Sequence, residues 1–249
     1  MRLLIELRPL KTFAYETKYY HKLQGFIYSL LKETDYSILH DLKPYKFFCF
    51  SNIFPVDETI DTGHKKLLII SSPDKFFIKI LEDKLNEIAN IHIGEMEFGL
   101  SDTKSFKVKL GDSIKLISAT PIIIRIPKRN YDKYDIPKKF RKKRYVYWRK
   151  EYNFEAFVKQ LEENLIKKYN EFHCSNTEIE RIFEIYKFKK GPIINHVVIN
   201  GKEQIFVGST WEFSFSYLSK EQKKILEFGI DCGFGERNSY GFGFINIIK

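Results

Sequence analysis

The stretch best suited to chemistry is Gly233-Phe-Gly-Glu-Arg-Asn-Ser-Tyr-Gly-Phe-Gly243, which holds four of the chain's 13 glycines. Glycine accepts positive φ and lets a second backbone approach closely. With Gly233, Gly235, Gly241 and Gly243 offering bare N–H groups and Arg237, Asn238 and Ser239 between them, the stretch suits contacts to phosphate. It is not a nucleotide-binding P-loop. No Gly-Lys-Ser/Thr ending is present, and a helix-like segment precedes it and a strand follows, the reverse of strand, loop, helix. The same glycines also fit a helix C-cap followed by a tight turn into the last strand.

A second candidate is charge. The chain of 249 residues carries a net charge of +10, and residues 128–150 hold eleven Lys and Arg against Asp132 and Asp135, close to the whole excess. Lys128, Arg129, Lys138, Lys139, Arg141, Lys142, Lys143, Arg144 and Arg149 are interleaved with Tyr145, Tyr147 and Trp148. A concentrated basic block points to a polyanion, and with no strongly apolar stripe beside it, to nucleic acid rather than a membrane. Cations of this kind meet phosphates while the aromatic rings stack on bases; the competing reading turns the rings into the core. The 23 Phe and 15 Tyr fit either exposed stacking surfaces or the bias of an AT-rich genome.

Other chemistry is poorly provided for. Cys49, Cys174 and Cys232 have neither metal-ligand nor disulfide-framework spacing, which fits a reducing cytoplasm. No acidic cluster is spaced for two-metal catalysis, so neither metal nor cofactor is expected. The apolar start of the chain is too short for a signal peptide, and no apolar run reaches the ~18 residues that span a membrane. Among the histidines, His40 lies in a loop, where a lone His is usually solvated or capping; His64 sits in a turn beside Lys65 and Lys66; His92, His173 and His196 read as structural.

The elements that position these residues follow from periodicity. Arg2–Arg8 alternates as a strand. Over Tyr19–Glu33, Leu23, Ile27, Leu30 and Leu31 recur at helical spacing, with Tyr20, Gln24 and Tyr28 on a second stripe beside them. The loop 36–46 leads to strands over Phe47–Pro55 and Leu67–Ser72. Asp74 caps a helix to about Ala89, and Ile91–Leu100 is extended. The order is β-α-β-β-α-β, the ferredoxin-like arrangement shared with the RNA recognition motif. The order then recurs. Ser113–Ile126 is extended with a break or edge at Pro121, Asn153 caps a helix to about Asn170, and Ile179–Lys189 is a strand. Asn200-Gly201 turns a hairpin between Gly191–Val198 and Gln204–Leu218, Ser219 caps a helix to about Phe228, and Phe242–Ile248 closes. The expectation is an α+β chain of two tandem ferredoxin-like domains. Residues 1–105 form one and 106–249 the other, the second carrying the basic insert 127–150 and the glycine-rich loop 233–243.

Two such halves closed by a glycine-rich loop between the last helix and last strand resemble the RAMP superfamily of CRISPR systems, and within it the repeat-RNA endoribonucleases of the Cas-six type. The second anchor of the resemblance is Leu23-Gln-Gly-Phe-Ile-Tyr28 followed by Leu39-His-Asp-Leu-Lys-Pro-Tyr-Lys46. The resemblance implies a catalytic set of Tyr28, His40 and Lys46, acting without metal. The ribose 2′-OH attacks the adjacent phosphate, leaving a 2′,3′-cyclic phosphate and a 5′-OH. His40 suits protonation of the leaving oxygen, because free imidazole titrates near ~6.5. Lys46 suits the charge on the phosphorane. Tyr28 is either the base or, since a free phenol titrates near ~10, a group that orients the 2′-OH. His21, two helical turns from Tyr28 on the same side, is a rival for the pocket. The implied partner is CRISPR repeat RNA in its precursor transcript; other CRISPR effector subunits and a homodimer are permitted. The alternative is a non-cleaving RAMP-type subunit that holds RNA. A double RNA-recognition-motif protein is a weaker third, because the aromatic strand signature is reduced to a partial echo at Tyr240–Phe244.

Overall fold

The computed structural model describes residues 1–16, 18–40, 45–199 and 202–248, with His40 described for its backbone alone. In chain order the elements are β1 (Arg2–Pro9), β2 (Phe13–Ala14), α1 (Tyr20–Leu30), β3 (Cys49–Phe50), β4 (Thr59–Ile60), β5 (Lys66–Ser71), α2 (Lys75–Asn86), β6 (Asn90–Ile93) and β7 (Met96–Phe106). There follow β8 (Ile114–Ser118), β9 (Arg125–Pro127), β10 (Tyr145–Tyr147), α3 (Phe154–His173), β11 (Ile185–Ile199), β12 (Lys202–Phe215), α4 (Lys220–Cys232) and β13 (Ile245–Ile248). The larger sheet runs β3-β5-β1-β7-β6 and a second runs β11-β12-β8-β13. In each, the first strand of a β-α-β-β-α-β unit lies between the third and the fourth, which is the ferredoxin-like order, repeated.

The caps form where side-chain chemistry favours them. Asp74 accepts from the Phe76 and Phe77 N–H groups at 2.9 and 3.3 Å, and Asn153 accepts from Glu155 N–H at 2.7 Å. Ser219 and Gln222 close a reciprocal capping box, and α4 continues to Cys232 rather than Phe228.

Three strand expectations change. Phe47–Pro55 supplies only Cys49–Phe50 as strand plus a bridge from Phe54 to Leu67; Pro55 has no N–H for the ladder. Ile91–Leu100 is a hairpin that turns at Gly94, with β7 then running past it to Phe106. Ile179–Lys189 and Gly191–Val198 are one strand, β11, which begins at Ile185 and passes Gly191-Pro192 with register shifts. A bulge absorbs the proline without ending the strand. The turn expected at Asn200-Gly201 falls outside the described residues. No helix among the described residues is long and apolar enough to cross a membrane.

The basic insert is not a solvated loop. Tyr131, Tyr134, Ile136, Val146, Trp148 and Tyr152 all join the core of the second half. Strand alternation in β10 turns Tyr145 and Tyr147 to one side and Val146, with Trp148 just beyond it, to the other. Trp148 is 2% exposed, donates its indole N–H to the Asn153 carbonyl at 2.9 Å and lies 5.2 Å from the Trp211 ring. Its expected stacking on RNA is therefore corrected: the indole is a core residue. Trp148→Ala is expected to cost about 3–5 kcal/mol of stability in a urea titration, and a variant as stable as the parent would contradict that packing.

Candidate active site

Helix α1 carries two stripes with different tasks. Leu23 and Ile27 are fully buried in the first core. Tyr20, Gln24 and Tyr28, one turn apart, face the glycine-rich loop of the other half. The Tyr20 ring stacks on Phe242 at 5.4 Å. Gln24 donates to Ser239 Oγ at 3.2 Å. Tyr28 is placed against Ser239, Gln24 and Tyr240. Burial pushes the Tyr28 phenol up to about 12, with the neighbouring Tyr240 adding to the shift and hydrogen bonds with Ser239 and Gln24 opposing it. A phenol of that pKa stays protonated at neutral pH and is a weak base there.

The loop after α1 returns to the same place. Ser37–His40 forms a single 3-10 turn. Lys46 donates to the Leu39 carbonyl, one residue before His40, and its Nζ lies 6.0 Å from the centre of the Tyr28 ring. Tyr28, Lys46 and the backbone of His40 thus meet at one locus; the His40 imidazole lies outside what is described. An open cleft of about 530 Å³ adjoins this region, bounded by His21, Gln24 and Tyr28 of α1, Lys32 just after it, Ile199 of β11 and Tyr240 of the loop. His21 does face the cleft. Burial, then the nearby Lys22, lowers its pKa, which favours the neutral imidazole.

The glycine-rich loop is built differently from the expectation of open N–H groups. The N–H groups of Gly233, Gly241 and Gly243 donate to the carbonyls of Gly229, Asn238 and Pro121 at 2.8, 2.7 and 2.9 Å, and all four glycines are buried. Gly243 has φ +76°, and a Cβ there would run into the Phe234 carbonyl; one on Gly241 would strike the Phe50 ring of the first half. These glycines allow close approach instead of cradling phosphate. Asn238 is also committed, its Nδ2 donating to the Phe234 and Phe242 carbonyls at 3.1 and 2.8 Å. Arg237 is the loop's exposed cation. Of the insert's cations, Arg141 is held by the Ile136 carbonyl at 3.1 Å and by Asp132, while Lys128, Arg129, Lys138, Lys139, Lys142, Lys143, Arg144 and Arg149 are exposed.

Sequence reasoning missed Lys168. Its side chain is 2% exposed, and its Nζ donates to Gly233 O at 2.5 Å, Gly235 O at 3.1 Å and Asn238 Oδ1 at 3.0 Å. An ammonium has three donors, and all three are used. Desolvation lowers its pKa, opposed by Cys232 and Cys49. The signal was present: Leu161, Leu165 and Lys168 recur at helical spacing on the inward face of α3.

The arrangement of two ferredoxin-like halves is shared with known proteins. A solved structure described as an RAMP protein binding different RNA substrates matches with a TM-score of 0.72 over 100% of both chains at 21% identity, a likeness of fold. A protein of Methanocaldococcus jannaschii named CRISPR-associated endoribonuclease Cas6 2 is 32% identical over 255 residues, covering 100% of each chain. One of Haloferax mediterranei named CRISPR-associated endoribonuclease Cas6 is 27% identical over 257 residues, covering 100% of this chain and 94% of its own. The family model for the C-terminal part of CRISPR-associated protein Cas6 matches residues 107–247. The chain belongs to the Cas6 family.

Lys168→Met, which keeps the stem and removes the ammonium, is expected to cost about 2–4 kcal/mol by stranding buried acceptors. Amide hydrogen exchange should localise the loss of protection to residues 233–243 ahead of either sheet. Unchanged protection there would contradict the role given to Lys168.

Proposed function

We propose that this chain is an endoribonuclease that cuts CRISPR repeat RNA in its precursor transcript, by 2′-OH attack and without a metal ion. The observation that carries the reading is the approach of the Lys46 ammonium to within 6.0 Å of the Tyr28 ring, beside the turn Ser37–His40 and at the edge of a cleft that Tyr28 and Ser37 line. The names of the relatives in Methanocaldococcus and Haloferax support the endoribonuclease part of the reading.

The chemistry follows from what each group is able to do. The 2′-OH gives up its proton to solvent water in the open cleft as the bond from the 2′-oxygen to phosphorus forms, and the bond from phosphorus to the 5′-oxygen breaks, giving a 2′,3′-cyclic phosphate and, once the leaving oxygen is protonated, a 5′-OH. Lys46, already pointed by the Leu39 carbonyl, offsets the charge that accumulates on the phosphorane oxygens. His40, as imidazolium, gives its proton to the leaving 5′-oxygen. Tyr28 keeps its own proton and orients the 2′-OH; that role suits a phenol near 12 better than proton removal does. Arg237 and the exposed cations of the insert hold the RNA backbone.

His40→Ala is expected to slow single-turnover cleavage by about 10²–10⁴ and to leave RNA affinity within about threefold, as read by filter binding on the same RNA. A parent protein that binds repeat RNA tightly and never cuts it would replace this reading with that of an RNA-holding RAMP subunit. A His40→Ala variant that cuts as fast as the parent would remove His40 from the mechanism.

A further inference from the structure

A second cavity, of about 500 Å³, lies under the basic insert, away from the cleft of Tyr28. Its walls are unusual in kind. Val146 and Tyr152 are buried at 6% and 9% exposure and give it an apolar floor. Tyr145 and Tyr147 stand edge to face at 5.6 Å, and the Arg125 guanidinium lies over Tyr145 at 4.7 Å, so one ring is already stiffened by a cation. Lys143, Arg144 and Arg149 supply the charge; among the described residues none of these three is in an ion pair, although Arg125 is held by Glu236.

The two cavities share a wall of packed side chains. Tyr147, Tyr240 and Ile199 pack on one small cluster with Phe206. Tyr240 and Ile199 border the Tyr28 cleft, and Tyr147 borders the second cavity. Arg237 lies over the Phe206 ring of that cluster at 5.2 Å. RNA leaving the cleft past the half-buried Tyr240 and the exposed Arg237 has Tyr147 and the second cavity on the far side of the same cluster. Unpaired bases are recognised by stacking on aromatic or guanidinium planes while neighbouring cations take the phosphates.

We propose that this cavity is a nucleotide subsite, taking one unpaired base of the RNA at a distance from the cut, with its flanking phosphates held by Arg144 and Arg149. The proposal rests on the endoribonuclease reading and adds to it a fixed point that sets where along the RNA the cleft engages.

The test is a coupling experiment on the full chain. Repeat RNAs, each with a single abasic ribose, are bound to the parent, to Tyr145→Ala and to Arg144→Ala, with Lys79→Ala as a charge control. In the parent, one abasic position removed from the cut is expected to weaken binding about tenfold, and that loss should vanish in Tyr145→Ala. Arg144 is exposed, so Arg144→Ala reports even if Tyr145→Ala does not fold. Arg144→Ala with Arg149→Ala should flatten the dependence of log affinity on log salt by about 1.4. Equal abasic losses in parent and variants would overturn the subsite and leave the endoribonuclease reading standing if the parent still cuts. Weakening by the variants that is uniform over all the RNAs would mean general charge attraction and would overturn it too. A parent that neither binds nor cuts the unsubstituted RNA would overturn both.

Discussion

The site depends on one buried ammonium. Lys168 has given up water and receives three oxygens of the glycine-rich loop in return. Two of these are backbone carbonyls that turn inward because Gly233 and Gly235 adopt φ of +88° and +70°. A charge in low dielectric is tolerated only with full hydrogen bonding, so the loop and the lysine specify each other. With the loop fixed from below, Ser239 and Tyr240 are presented to α1 and Arg237 to solvent. The sequence of causes runs from an inward lysine on α3, to loop conformation, to the surroundings of Tyr28.

The candidate site belongs to neither half alone. The side chains proposed as catalytic come from α1 and the segment after it, but groups that bury and orient Tyr28 come from the last loop. The halves are clamped at a second point, where the Arg2 guanidinium donates to the carbonyls of Ile245 and Ile230 and to Asn246 and lies over the Phe244 ring at 4.6 Å. The absence of a side chain at Gly241 lets Phe50 approach. Packing that brings the halves together is thus a requirement of the proposed chemistry as well as of stability.

Much of this was legible in the order of residues. Strand and helix periodicities give both β-α-β-β-α-β units, and the stripe of Tyr20, Gln24 and Tyr28 was visible as a second face of α1, although its partner was not. The errors have physical causes. Gly191-Pro192 looks like a boundary, yet β11 runs through it because a bulge tolerates both residues. Trp148 was judged by its charged neighbours, when its two-residue spacing from Val146 puts it on the buried side. Lys168 was passed over because lysine is read as exposed, and only its place in the Leu161–Leu165 series argues otherwise. The glycines of the last loop read as open N–H groups, yet Gly233 and Gly241 donate to carbonyls four and three residues back and Gly243 donates to Pro121 across the fold.

The claim on which the rest turns is that the ribose itself is the nucleophile. An end-labelled CRISPR repeat RNA incubated with the protein in EDTA, beside a copy with a single 2′-deoxy at the cut position, tests it directly. The account predicts one cut in EDTA, ending in a 2′,3′-cyclic phosphate, which the deoxy substitution abolishes. Cutting that persists on the deoxy RNA would show an external nucleophile and would contradict the roles given to Tyr28, His40 and Lys46.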